Sequence, residues 1–175
     1  MVFFDLNTLS YLINYDYKKQ IYTLLVSESV KVLLKIRSNH LMDCSYSKNF
    51  EDRSVSILRK IAQRTDLPAY LYELMAKDKN DTIKSELAMN PNVNSSVLKL
   101  LSKDKNWSTR QSVAEHPLTS KDILVELAND SNFSVRESVA KNQNCPQEIL
   151  LKLLCDVEPE VNLSAKRSLD FLKEK

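Results

Sequence analysis

The chain has 175 residues, 43% hydrophobic and 27% charged, with a formal net charge of +2. That is enough for one domain with a real core, and the near-neutral balance neither demands nor excludes a polyanionic partner. It contains no glycine, which excludes the Walker loop, the Rossmann fingerprint and the nucleophile elbow, all of which need glycine where a backbone or nucleophile is closely approached.

Helices joined by Asn, Asp, Ser and Pro turns are expected instead. Cys44, Cys145 and Cys155 show no CxxC spacing and read as reduced thiols of a cytoplasmic protein. The opening Met-Val-Phe-Phe-Asp-Leu-Asn lacks a basic region and is interrupted by Asp5, so it does not read as a signal peptide. No apolar run approaches the roughly 18 residues of a membrane span, and no membrane partner is expected.

In chain order, residues 1–50 predict a helical N-terminal cap. Phe3, Phe4, Leu6, Leu9, Leu12 and Ile13 share one face of a first short helix. Tyr17–Val26 reads as a second helix and Ser27–Ser38 as a third, with Ser27 as N-cap. His40–Asn49 reads as a polar connection. An open stack of repeats leaves an apolar end, which an atypical segment has to cover.

Residues 51–175 predict repeats. Asp52, Asp78, Asp104, Asp130 and Asp156 are spaced by 26 residues, and Ala62, Ala88, Ala114 and Ala140 follow the first four at a fixed offset. Each alanine is preceded by Ile61, Leu87, Val113 or Val139. A further row holds Ile57, Ile83, Thr109, Val135 and Val161. In the second half of each unit, Leu71, Val97, Ile123 and Ile149 align, as do Tyr72, Leu98, Leu124 and Leu150, and then Met75, Leu101, Leu127 and Leu153. Such self-similarity predicts units near 52–77, 78–103, 104–129 and 130–155, closed by a C-terminal cap over 156–175.

Each unit divides into a helix A, over Ser108–Glu115 in the clearest copy, and a helix B, over Ser120–Asn129. Pro117 ends helix A because a proline disfavours helical geometry in the residue before it. Thr119 is the expected N-cap of helix B, and Pro68 and Pro146 fall in its first turn, where a missing N–H costs nothing. Lys166 replaces the alanine in the last unit, and 160–173 reads as one longer closing helix.

The pattern Asp-x5-Arg-x2-Val-Ala-x-His/Asn-Pro, followed by Leu-x2-Leu-Ala-x-Asp, resembles the leucine-rich repeat variant family over residues 52–165. It is similar, more loosely, to HEAT and armadillo repeats. The resemblance implies an all-α fold: a right-handed α-solenoid, or alpha-alpha superhelix, here built of ~26-residue two-helix repeats. One founding member of that family resembles an iron–sulfur protein. A cluster needs about four thiolates, and the N-terminal part here holds only Cys44, so no cofactor is expected. His40-x3-Cys44 supplies two potential ligands, which do not make a metal site.

Candidate contacts follow from the array. Asp at the start of helix A is expected to cap it, and Arg110 and Arg136 to bridge to the aspartate of the next unit. Asn80, Asn106 and Asn132 are expected to satisfy loop backbone, and His116 to fill the turn slot of Asn90 and Asn142. Cys145 and Cys155 read as inert small residues. Trp107 and Phe133 share a register in the loop before helix A, where they either anchor a partner or shield the seam between repeats.

The outward row of helix B offers Tyr70, Glu73, Ser96, Lys99, Asp122, Val125, Glu126, Glu148, Leu151 and Lys152. Its mix of charge and apolar surface suits a protein or peptide. The expectation is a non-catalytic interaction scaffold contacting its partner through Trp107, Phe133, Glu126, Lys152, Tyr70 and Lys99. The alternative is nucleic-acid binding through residues 31–64, where eight basic residues face three acidic ones and leave +5. Its contacts would be Lys31, Lys35, Arg37, Arg59, Lys60 and Arg64. No set of residues supports an enzyme.

Overall fold

The structure, a computed structural model, describes residues 30–31 and 45–173, with side chains from Ser54 onward in the continuous part. The first two expected helices, His40, Cys44, Lys35 and Arg37 lie outside the described residues. Of the expected Ser27–Ser38 helix, only Val30 and Lys31 are described; both are helical, Val30 fully buried and Lys31 exposed.

Residues 45–173 form nine helices: α1 (Ser45–Ala62), α2 (Ala69–Met75), α3 (Asp81–Ala88), α4 (Ser95–Leu101), α5 (Trp107–Glu115), α6 (Lys121–Leu127), α7 (Phe133–Lys141), α8 (Gln147–Leu153) and α9 (Pro159–Lys173). There is no strand among the described residues. The chain divides into two compact units, Met1–Asn92 and Val93–Lys175. In the first, α1 packs on α2 and α3. In the second, α7 lies between α5 and α9, while α8 packs on both α7 and α9.

Most of these helices have only seven to nine residues, too few to persist alone in water. Packing of their inward rows holds them. Ile57, Ile83, Thr109, Val135 and Val161 are all buried, as are Ile61, Leu87, Val113 and Val139 with the alanines that follow them. The helix B rows are buried too, except Ile149, which is half-buried. Each large apolar side chain contributes roughly 1.5–3 kcal/mol on burial. The alanines are fully buried where helices approach closely.

Three local expectations are corrected. Helix α1 begins at Ser45, within the expected polar connection. No proline interrupts 45–62, so the helix anchored by Ile57, Leu58 and Ile61 continues backwards. Pro68 and Pro146 stand one residue earlier than expected, at the N-cap, in extended geometry. Thr119 does not cap α6; the N-cap is Ser120, without a side-chain bond. The Thr119 hydroxyl, 1% exposed, donates instead to the Val113 carbonyl at 2.6 Å. The turn is so short that this hydroxyl reaches a last-turn carbonyl of the preceding helix, which also accepts the His116 N–H.

Candidate interaction surface

The framework decides which side chains remain available. The expected bridging by arginine is observed. Arg110 grips Asp130 through Nε at 2.6 Å and Nη2 at 2.8 Å, and Arg136 grips Asp156 in the same way at 2.7 and 2.8 Å. The third nitrogen, Nη1, donates to the Asp104 and Lys105 carbonyls in one case and to those of Asp130 and Ser131 in the other. These forked contacts are largely buried, with exposures of 15% and 7% in the first pair and 13% and 9% in the second.

Burial pushes the Asp130 carboxyl upward, but Arg110, the Asn132 N–H and Arg136 outweigh it and hold the group below its ordinary range. The bond from Arg136 does the same for Asp156, against burial.

The helix cap is the asparagine and not the aspartate. The Asn80 side chain accepts from the Thr82 and Ile83 N–H groups, Asn106 accepts from Ser108 and Asn132 from Ser134. The aspartates Asp78, Asp104 and Asp130 act one step earlier, accepting the N–H of those same asparagines at 2.8 to 2.9 Å. Two residues separate each pair, so aspartate closes the loop and asparagine starts the helix.

A second row of amides joins helix ends within each unit. Asn90 Nδ2 donates to the Ala62 and Arg64 carbonyls, and Asn142 Nδ2 to those of Ala114 and His116. Ser168 takes the equivalent place on Ala140, at 2.6 Å. In the same slot His116 is 3% exposed, and its Nδ1 accepts the Leu118 N–H at 3.1 Å. Asn90 and Asn142 likewise accept the N–H two residues on, so the structural reading of His116 stands.

With these groups committed, the outward row of helix B remains. All ten residues expected there are exposed. The first unit presents Tyr70 and Glu73 on α2. The second presents Ser96 and Lys99 on α4, Asp122, Val125 and Glu126 on α6, and Glu148, Leu151 and Lys152 on α8. Lys152 donates to the Asn129 side chain, and the Lys31 ammonium stands 5.1 Å above the Tyr70 ring. Leu74 and Leu100 are also exposed, in the register of Glu126 and Lys152. The repeat offset places them there, although the sequence reading did not include them.

Trp107 and Phe133 are not in the preceding loop; each is the first residue of its helix, at 46% and 42% exposure. Asparagine capping one residue earlier draws them into the first turn. In the basic segment, Arg59 pairs with Glu86 at 2.6 Å and Arg64 with Asp66 at 2.5 Å, while Lys60 is exposed. Cys145 is buried, and burial pushes its thiol up to about 11. Cys155 is exposed and lies beyond the end of α8, so only Cys145 sits as a buried small residue.

A cleft of about 260 Å³ that no motif pointed to lies in the second unit, between the turn after α7 and the last turns of α9. Its signal was the loss of the alanine and of the Asn-Pro turn in the final repeat.

Among the described residues no group of three or more His, Cys, Asp or Glu could hold a metal, and no helix is long and apolar enough to cross a membrane. No family model matches the chain, and no curated protein matches it. Among solved structures it is similar to one described as the crystal structure of an engineered protein, with 14% identity and a TM-score of 0.42. That match covers 96% of this chain, which spans about half (53%) of the engineered protein.

Proposed function

We propose that the chain is a non-catalytic scaffold or adaptor of the cytoplasm that binds a protein or peptide through the outward row of helix B. In this reading it is an α-solenoid of ~26-residue two-helix repeats, right-handed as the resemblance to leucine-rich repeat variant and HEAT-like proteins implies. The observation that carries the reading is the uniform exposure of that row while every inward row is packed.

In the second unit the row sets Leu100, Val125 and Leu151, each 40% exposed or more, among Lys99, Asp122, Glu126, Glu148 and Lys152. Apolar anchors rimmed by mixed charge suit a protein partner. The buried, backbone-tied His116 supports a non-catalytic role. The nucleic-acid alternative has less support, because Glu86 and Asp66 already neutralise Arg59 and Arg64.

The test is quantitative binding of a captured partner to wild type, E126K, K152E and a complete charge reversal of the row. The single reversals are expected to weaken binding without altering the circular dichroism spectrum. Binding that survives complete reversal refutes the assigned face.

A further inference from the structure

The cleft near the end of the second unit is lined by Lys141, Asn142, Gln143 and Cys145 on the α7–α8 side, by Leu150 of α8, and by Arg167, Ser168, Phe171 and Leu172 of α9. At about 260 Å³ it falls just under the roughly 300–1,000 Å³ of small-molecule pockets. It therefore suits one or two side chains of a larger partner.

Its chemistry is one-sided. No carboxylate is among the lining residues, which include two cations. Lys141 pairs with Glu137 at 2.7 Å but is 58% exposed, so that pair is weak. Arg167 is exposed and makes no ion pair among the described residues. The carboxylate nearest in sequence, Asp170, is 3.3 Å from Lys173. Beside the cations, Phe171 and Leu172 are 53% and 45% exposed. Leu150 and the Cys145 thiol are buried and apolar.

The repeat register shows what is missing. Asn92 donates its side-chain amide to the Thr65 carbonyl, and Asn144 donates likewise to that of Pro117. In the same register Pro91 stands opposite Leu118, and the position after Pro117 is Gln143, a residue that lines the cleft. The matching donor position is Asp170, on α9. An ionised carboxylate has no hydrogen to donate, and no backbone N–H of a turn or loop bonds the Gln143 carbonyl. Leu118 likewise gives the Pro91 carbonyl no side-chain donor, so what sets the site apart is its two cations and apolar floor beside Gln143.

We propose that this cleft docks an acidic, leucine-bearing peptide segment of a partner protein. A backbone N–H of the segment meets the Gln143 carbonyl, a leucine-type side chain rests on Leu150, Phe171 and Leu172, and a flanking carboxylate meets Arg167. This goes beyond the helix B row, whose residues do not line the cleft.

The test is fluorescence anisotropy with the full chain and three labelled octapeptides: aspartate alternating with leucine, lysine alternating with leucine, and aspartate alternating with serine. The aspartate–leucine peptide is expected to bind, and the other two at least about tenfold more weakly. R167E and F171S, both at exposed positions, are each expected to weaken it by about tenfold, whereas E126K and K152E leave it unchanged.

The proposal is overturned by no binding at about 1 mM peptide, by equal binding of either control peptide, or by an affinity that R167E does not alter. Sedimentation gives a further decisive outcome. A concentration-dependent dimer of wild type that R167E abolishes would assign the cleft to a second copy of the chain.

Discussion

Replacing Asp130 by asparagine isolates the most connected polar contact of the second unit. Asp130 receives two bonds from Arg110 and one from the Asn132 N–H, and its carbonyl accepts from Arg136. Its side chain is 7% exposed and that of Arg110 is 15% exposed. Removing one partner from a buried ion pair costs about 3–5 kcal/mol when the remaining charge is stranded. Arg110 keeps its bonds to the Asp104 and Lys105 carbonyls, so D130N is expected at about 2–3 kcal/mol, the scale of charged hydrogen bonds. With a urea slope of about 1–3 kcal/mol per molar, the midpoint falls by about 1–2 M.

Trp107 is the only tryptophan and begins the helix that carries Arg110. Its fluorescence therefore reports unfolding of this unit. R110M alone is expected to cost a similar amount. The double variant D130N/R110M should cost less than the sum by about 1.5–2 kcal/mol, because neither group is then stranded. A cost for D130N under about 0.5 kcal/mol, or strict additivity of the two changes, would refute the view that the arginine fork couples α5 to the loop before α7.

Acid should act on the same contacts. The Asp130 and Asp156 carboxyls sit below the ordinary 3.8. Their contribution is therefore complete above that value and is lost as pH falls through the lower folded values. Urea midpoints of wild type should fall more steeply below pH 4 than those of D130N, and parallel curves would contradict this. N142A removes the amide donor shared by the Ala114 and His116 carbonyls at the end of α5, of which that of His116 keeps the Thr119 N–H. A loss of about 1–3 kcal/mol is expected in the same assay, and no loss would show that water replaces the amide. With a thiol reagent at pH 8, Cys155 should react rapidly. Cys145, buried and with its thiol pushed up to about 11, should react at least tenfold more slowly; equal rates, read by mass spectrometry, would contradict that.

Much of the interior was legible in the chain itself. A side chain that recurs at a fixed offset on a helical period must face the same way each time, so Val113, Val139, Leu124 and Leu150 could be assigned inward without coordinates for any neighbour. The same periodicity made the outward row of helix B readable, because whatever is not inward on a seven-residue helix is exposed. Arg110 and Arg136 were legible as struts, since their aspartates recur in step with them.

Hydrogen-bond partners were not legible in the same way. Whether Asp104 or Asn106 caps α5 depends on where the loop turns, and both residue types favour either role. Thr119 spends its hydroxyl on Val113 because a short turn brings them together. Asn142 is paired with the carbonyl of Ala114, 28 residues earlier, a distance that local propensity cannot span.

The amino-acid sequence by itself determined the helical class, the 26-residue spacing, the inward rows and the absence of glycine-built sites. Burial patterns repeat with the chain, and periodicity is a local property. The tertiary structure alone decided which polar groups are consumed by the framework and which stay available. It tied down the aspartates, asparagines and His116, and it left Arg167 exposed beside a cleft. That division arises because a buried polar group must find a partner, and the partner is set by the packing of helices distant in sequence.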